Sequence, residues 1–250
     1  MVRGTKRALA LVAMLAAAGL PAADAPAGTL AGSVALASDY LFRGLSQTGH
    51  RPAAQAGAEY EGAGGWYLGG WGSNVSWLSD GSTPARPVSS SVELDAWAGW
   101  RGSLGGDWRG DAGLYAYDYP GSYPHDYTQP RTLEGYAALG WKALTLKYAL
   151  SFGNLFGVPG SRHSGYLDLA WSRALAPGWQ FDAHVGRQRV ARHGEASYTD
   201  WKLGVTRTLG RDWTATLAWY DTDARRAVYT DARGRYLGRA TLVLGVSRTF

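Results

Sequence analysis

Five histidines lie among carboxylates and hydroxyls, the groups from which acid–base and nucleophilic catalysis are built. His50, His125, His163 and His193 fall in polar stretches. Asp221 and Asp223 close an alternating segment, and His184 shares a face with Asp182 two residues earlier. General acid–base work needs such groups within hydrogen-bond reach of each other and of a substrate. No spacing here fixes that geometry, and a Ser–His–acid arrangement cannot be read from scattered positions. No H-E-x-x-H, phosphate-binding loop, dinucleotide fingerprint or EF-hand loop occurs. The chain has no cysteine, which removes a thiolate nucleophile, a Cys-ligated zinc and a disulfide framework. The sequence therefore does not read as an enzyme, and it names no catalytic residue, cofactor or metal ligand.

The remaining chemistry-bearing groups are charges on alternating segments, and those segments explain them. The 250 residues include 12 Trp, 15 Tyr and 35 Gly, but only 5 Phe and 2 Met. Amphipathic aromatics suit a membrane–water interface, where one end of the ring system is dry and the other wet. Net charge is +5, and Arg3, Lys6 and Arg7 account for much of it. The other basic residues are scattered, which argues against nucleic-acid binding. Those three residues precede the uncharged stretch Ala8–Leu20 and then Ala25-Pro26-Ala27, a pattern expected of a cleaved signal peptide over residues 1–27. The apolar stretch falls short of the roughly 20 residues that cross a ~30 Å hydrocarbon core. No other segment reads as a transmembrane helix, so a membrane-spanning mature chain must be a closed barrel.

Residues 28–250 alternate with a period of two. Leu242, Leu244, Val246 and Phe250 face Thr241, Gly245, Ser247 and Thr249; Trp213, Ala215, Leu217 and Trp219 face Thr214, Thr216, Ala218 and Tyr220. Twelve strands are expected, near 32–43, 52–61, 65–77, 89–101, 107–119, 130–141, 143–152, 164–173, 178–190, 197–209, 212–223 and 238–250. Many exceed the usual soluble strand and match the roughly 9–11 residues of a tilted membrane strand. Short turns alternate with long polar loops, and Trp66, Trp100, Trp108, Trp141, Trp171, Trp179 and Trp213 lie beside the short turns. The expected fold is an all-β, antiparallel, up-and-down transmembrane barrel in the bacterial outer membrane. Phe250, a terminal aromatic on an alternating strand, is expected to be the signal read by the barrel-assembly machinery.

Several motifs carry a resemblance. Ser38-Asp39-Tyr40-Leu41-Phe42-Arg43-Gly44-Leu45-Ser46-Gln47 precedes Pro52-Ala53-Ala54-Gln55-Ala56-Gly57. Trp71-Gly72-Ser73-Asn74-Val75 and Val92-Glu93-Leu94-Asp95 follow. This resembles the TorF family of porin-like proteobacterial outer-membrane proteins. Weaker matches run on through Tyr119-Pro120-Gly121 and Leu146-Lys147-Tyr148 to the terminal Phe. The resemblance implies a barrel passing small solutes and carries over no catalytic residue.

A lipid-facing Arg or Lys at mid-depth costs roughly 2–4 kcal/mol, so charges on strands should face the lumen. The expected lumen acids are Asp39, Glu59, Glu93, Asp95, Asp111, Glu134, Asp168, Asp182 and Asp200; the bases are Arg43, Arg101, Arg109, Lys147 and Lys202. Asp39 and Arg43 are read as part of strand one. The acid excess predicts a weakly cation-preferring pore for small hydrophilic solutes or ions. A packed lumen with internally paired charges is the competing reading, because twelve strands lie between filled and open barrels. In that case the barrel is structural or surface-interacting. Its partners would then be outer-membrane lipids and lipopolysaccharide phosphates, bound through Arg225, Arg226, Arg233 and Arg235 of the longest loop. An outer-membrane hydrolase is the least supported reading.

Overall fold

The structure is a computed structural model that describes residues 28–250; the expected signal peptide lies outside the described residues. In chain order the strands are β1 (Thr29–Ala37), β2 (Leu41–Phe42), β3 (Leu45–Ser46), β4 (Ala53–Glu61), β5 (Trp66–Asn74), β6 (Val92–Gly105), β7 (Trp108–Asp118), β8 (Thr132–Trp141), β9 (Leu144–Ser151), β10 (Gly165–Ala176), β11 (Trp179–Arg189), β12 (Tyr198–Thr208), β13 (Trp213–Thr222) and β14 (Thr241–Thr249). β2 and β3 form a separate hairpin. The other twelve form one closed antiparallel barrel, with β1 joined to β4 on one side and β14 on the other. No helix among the described residues is long and apolar enough to cross a membrane, which says nothing about crossing by strands.

The period-two pattern sorts the side chains as expected. Along β5, Trp66 and Leu68 are 66 % and 61 % exposed, whereas Tyr67 and Trp71, on the opposite face, are 4 % and 7 % exposed. Leu30, Val34 and Leu36 of β1, Leu167 and Leu169 of β10, and Leu242 and Leu244 of β14 are likewise exposed. A soluble protein would bury such a belt; a barrel in lipid presents it outward.

Residues 62–65, 106–107, 142–143, 177–178 and 209–212 make the short turns. Trp66, Trp108, Trp141, Trp179 and Trp213 stand exposed beside them, and Trp108 packs against Trp141 with ring centroids 6.1 Å apart. Lys142, Arg207 and Arg248 lie over the rings of Trp141, Trp179 and Trp213 at 4.8, 5.0 and 5.7 Å. Aromatic rings with cations above them mark the level where hydrocarbon gives way to headgroups.

The barrel closes where β14 meets β1, with Ser33 opposite Thr249 and Ala37 opposite Gly245. Beyond the last paired residue, the Gly32 amide donates to the Phe250 carbonyl at 2.9 Å and the Phe250 amide donates to Gly32 at 3.0 Å. The Phe250 ring lies over Gly32, where a Cβ would come within 2.5 Å of a ring carbon. A glycine under the last aromatic therefore lets the seam close flat.

The first expected strand differs. The sequence pattern placed it over 32–43, but β1 ends at Ala37 and the chain then turns into the barrel. Tyr40 and Leu41 continue the apolar pattern because they pack inside the lumen, at 6 % and 8 % exposure, rather than against lipid. β6 is also shifted from the expected 89–101: it begins at Val92 and runs on through Gly102 to Gly105.

Candidate functional site: the lumen and the loop folded into it

Residues 38–52 connect β1 to β4 and fold inward. Asp39 organises the segment. It accepts hydrogen bonds from Ser46 Oγ at 2.7 Å and Thr48 Oγ1 at 2.8 Å, and its other oxygen lies 2.8 Å from His50 Nδ1. The β2–β3 hairpin turns through Arg43 and Gly44, both at positive φ (49° and 77°). Two successive positive φ values make the primed turn whose twist matches a tight hairpin.

The hairpin tip reaches most of the wall. Leu41 packs with Ala218, Tyr220 and Val243 of β13 and β14. Phe42 sits edge-on to Tyr117 of β7 at 5.5 Å and to Phe156 at 5.4 Å. Arg43 donates to both Glu134 oxygens at 3.0 and 2.6 Å and to Gln188 Oε1 at 2.8 Å, so it ties β8 to β11. Its guanidinium lies 4.3 Å over the Tyr166 ring of β10. Gly44 passes so close to β12 that a Cβ would lie 2.6 Å from the Asp200 Cβ. Glu134, Gln188 and Asp200 are 2 %, 2 % and 0 % exposed. The hairpin thus spans the lumen at this depth, with contacts to β7, β8 and β10 to β14.

The expected lumen residues fall as follows. Asp39 and Arg43 are buried in the lumen but belong to the inward loop, not to the strand-one wall; the alternation continues past Ala37 because the hairpin has its own two faces. Glu59, Glu93, Asp95, Arg101, Glu134, Asp168, Asp182, Asp200 and Lys202 are buried on inward positions of their strands. Arg109, Asp111 and Lys147 are half-buried; Arg109 sits near the short-turn end of β7 and donates to the Lys142 carbonyl at 2.8 Å.

These groups form local sets. Arg101 donates to Glu59 at 2.8 Å and lies 3.8 Å over the Tyr67 ring; Glu59 also accepts from Trp97 Nε1 at 2.7 Å. The Tyr67 hydroxyl bonds Asp111 and the Tyr136 hydroxyl, and Lys147 lies 4.1 Å over the Tyr136 ring. His184, expected beside Asp182, bridges two other acids: Nδ1 is 2.7 Å from Asp168 and Nε2 is 3.4 Å from Asp200. Antiparallel register explains this, because Asp168 and Asp200 lie diagonally across from His184 on β10 and β12. Asp182 accepts from Gln180 at 2.9 Å. Lys202 stands opposite His184 on β12, 6.0 Å from the Tyr220 ring.

Three inward groups escaped the sequence reading: Glu61, 3.8 Å from Arg101, and the buried Gln55 and Gln188. Glu61 shares the inward parity of Glu59 and could have been found from it. The glutamines carry no charge, so a search for charges passes over them.

At the long-loop end of the barrel, α1 (Trp77–Asp80) and α2 (Arg226–Tyr229) lie in the loops 75–91 and 223–240. Asp80 accepts from Arg51 and from Ser76, both at 2.7 Å, lies 3.1 Å from Arg233 and also bonds Arg235. Arg235 is further paired with Asp231 at 2.7 Å. Burial pushes the Asp80 carboxyl up, but hydrogen bonds from Ser76 and Arg235 and the nearby Arg charges outweigh it and hold it below its ordinary value. Asp231 is held low in the same way by Arg235 and the Arg233 amide. Arg233 and Arg235, expected as free anion contacts, are therefore engaged with carboxylates of the protein itself. Arg225 is exposed, and Arg226 stacks 4.5 Å over Tyr236.

A closed barrel of twelve antiparallel strands, apolar outside and charged inside, is the architecture of a membrane-spanning β-barrel. The chain belongs to the family described as "Bacterial protein of unknown function (Gcw_chp)", which it matches over residues 21–250. No curated protein matches it in sequence. Among solved structures, the "KdgM porin" aligns with a TM-score of 0.54 at 7 % identity, covering 89 % of this chain and 99 % of that one. The "NanC porin structure in rhombohedral crystal form" aligns with a TM-score of 0.52 at 11 % identity over the same shares. At such identities the likeness is one of fold.

Proposed function

We propose that the chain is a porin-like barrel of the bacterial outer membrane, passing small hydrophilic solutes or ions by passive diffusion through a lumen that residues 38–52 span in this conformation. The single observation that carries this is the inner wall. It holds charged and hydroxyl side chains through its depth, while the outer face is apolar. A polar inner wall behind an apolar outer face is what an aqueous path through a membrane requires, and Asp111 and Lys147 on that wall are only half-buried. The resemblance to TorF porins and the porin names of the structural neighbours support the same reading. One neighbour is described as a "KdgM porin in complex with disordered oligogalacturonate", a polyanion. Here acids outnumber bases on the wall, which supports cations as the preferred solutes.

The packed hairpin favours a second reading, a non-conducting surface barrel. Planar-bilayer recording under a KCl gradient separates the two. The proposed function expects sparse openings from the native protein and large, cation-selective conductance once residues 40–46 are replaced by a short glycine-rich link. Silence from both leaves the structural barrel, and an anion-selective reversal potential removes the charge argument. We further propose lipopolysaccharide contact through the exposed Arg225 and Arg226, and recognition of the exposed Phe250 by the assembly machinery. Heat-modifiable migration of outer-membrane fractions on a denaturing gel tests the location.

A further inference from the structure

The lumen has two unlike halves. The charged side chains of the inner wall belong to β4 and to β6–β12. Among the described residues, the inward positions of β1, β13 and β14, on either side of the seam, carry no charge. Antiparallel register lays them out in rows. Gln55 of β4 stands opposite Ala35 of β1, Ala35 opposite Ser247 of β14, and Ser247 opposite Thr214 of β13. In the next row toward the long loops, Ala37 stands opposite Gly245 and Gly245 opposite Thr216. In the row toward the short turns, Ser33 stands between Gly57 and Thr249. Side chains this small leave room. A cavity of about 40 Å³ lies between this wall and Asp39–Leu41 of the inward loop, space for about three water molecules at roughly 10–15 Å³ each.

One group in the cavity lacks a partner. Gln55 is 5 % exposed, and neither its Nε2 nor its Oε1 has a hydrogen-bond partner among the described residues. Asp39, Thr216 and Ser247 also line the cavity but are engaged. Asp39 is taken by Ser46, Thr48 and His50. Thr216 bonds Thr206 at 3.0 Å, and Ser247 bonds Thr214 at 2.7 Å. Leu41, packed on Ala218, Tyr220 and Val243, bounds the cavity toward the long loops. Mostly apolar walls with one bare polar group are the usual build of a small-molecule site. The carboxamide offers donors and an acceptor without a charge, so it suits a hydroxyl, which also donates and accepts. An ion would shed water here against apolar walls and gain no counter-charge.

We infer that solutes pass along the seam side of the lumen and that the Gln55 cavity is the selecting point, taking small uncharged polyols in preference to ions. This rests on the porin reading and adds its route and solute class. On the opposite wall Glu134, Glu59 and Asp168 are held by Arg43, Arg101 and His184. The cation preference therefore belongs to the barrel freed of its loop, and the neutral route to the barrel with the loop in place.

Liposome swelling tests this. Vesicles carrying the full-length barrel are moved into iso-osmotic erythritol or choline chloride, with protein-free vesicles as the baseline. The native protein should admit erythritol faster than choline chloride. Gln55→Leu keeps the bulk and removes both hydrogen-bonding atoms, so it should slow erythritol roughly fivefold, the worth of about one hydrogen bond. Leu41→Ala should speed erythritol, and Asp182→Asn on the charged wall should leave it unchanged. Each variant must show heat-modifiable migration. Should Gln55→Leu not fold, Ala35→Val, which narrows the cavity from the neighbouring strand, must slow erythritol in its place. Erythritol entry that is unchanged in folded Gln55→Leu, or that choline chloride outpaces in the native protein, overturns the site. If the native barrel stays at baseline while the barrel with residues 40–46 replaced admits solutes, the seam site falls and the porin reading stands. If both stay at baseline, the porin reading falls with it.

Discussion

The loop 38–52 is held at two depths, and the two attachments are built differently. Deep in the barrel, one cation meets one carboxylate: Arg43 binds Glu134 at both oxygens, and the side chains are 7 % and 2 % exposed. At the mouth, one carboxylate gathers several cations: Asp80 is buried, but Arg51 and Arg233 are 46 % and 56 % exposed. Water screens the second arrangement and not the first. A buried pair is expensive to break from one side, because the survivor keeps its desolvation penalty. An exposed pair contributes only about 0.2–1 kcal/mol. The inner attachment therefore decides whether the loop occupies the lumen, and the outer one trims where its ends sit.

The sharpest way to break that comparison is Arg43→Ala. It leaves Glu134 buried with only Tyr117 at 3.3 Å, and the expected loss is about 3–5 kcal/mol in urea unfolding from lipid. Removing both charges, as in Arg43→Met/Glu134→Leu, should be near neutral or stabilising. If the double variant is as unstable as the single one, the pair is not an isolated buried ion pair. Bilayer recordings on the same proteins should show more frequent openings for Arg43→Ala. Gly44→Ala comes next. Its φ is +77° and its Cβ would press on Asp200, so a loss of about 1–3 kcal/mol is expected, concentrated in the hairpin. Retention of full stability would mean that the hairpin does not lie against β12.

The outer clasp should yield less. Asp80→Asn removes three Arg contacts at once and is expected to cost about 1–2 kcal/mol. Its pH dependence carries a sign. The Asp80 carboxyl is held below its ordinary value in the folded state. Its contribution is therefore fully present above the unfolded-state pKa of about 3.9 and is lost as pH falls through the lower folded value. The gap between native protein and Asp80→Asn should stay constant from about pH 8 to pH 5 and close only below about pH 4. A gap that closes near neutrality would mean that a histidine, such as His50, controls the clasp.

The contrast also marks what sequence could show. Strand number, order, inward parity and the tryptophan girdle follow from a period of two, because one residue of slip would move every side chain to the wrong face. Leu41 and Phe42 look the same whether their apolar face meets lipid or fills a lumen, so the turn after Ala37 was not legible. Asp80 was likewise hidden, because it lies in a loop, and its three Arg partners come from segments distant in the chain. The unpaired Gln55 could be placed inside by parity. Its lack of a partner depends on what the strands to either side present, which no single strand records.

The smallest expected effect concerns the two loop arginines that neither clasp uses. Neutralising all four of Arg225, Arg226, Arg233 and Arg235 would confuse loss of the Asp80 contacts with loss of an outside partner. Arg225→Gln/Arg226→Gln separates them. Only the Arg226–Tyr236 stacking is lost, so stability should change by no more than about 0.5 kcal/mol. If these side chains contact lipopolysaccharide phosphates, the double variant should lose affinity for lipopolysaccharide vesicles at about 0.01 M salt, where screening reaches ~30 Å. The difference should vanish near 1 M, where it reaches ~3 Å. Equal affinity at low salt would leave the basic character of this loop to the Asp80 clasp alone, and with it the view that charge at the mouth serves the fold before it serves a partner.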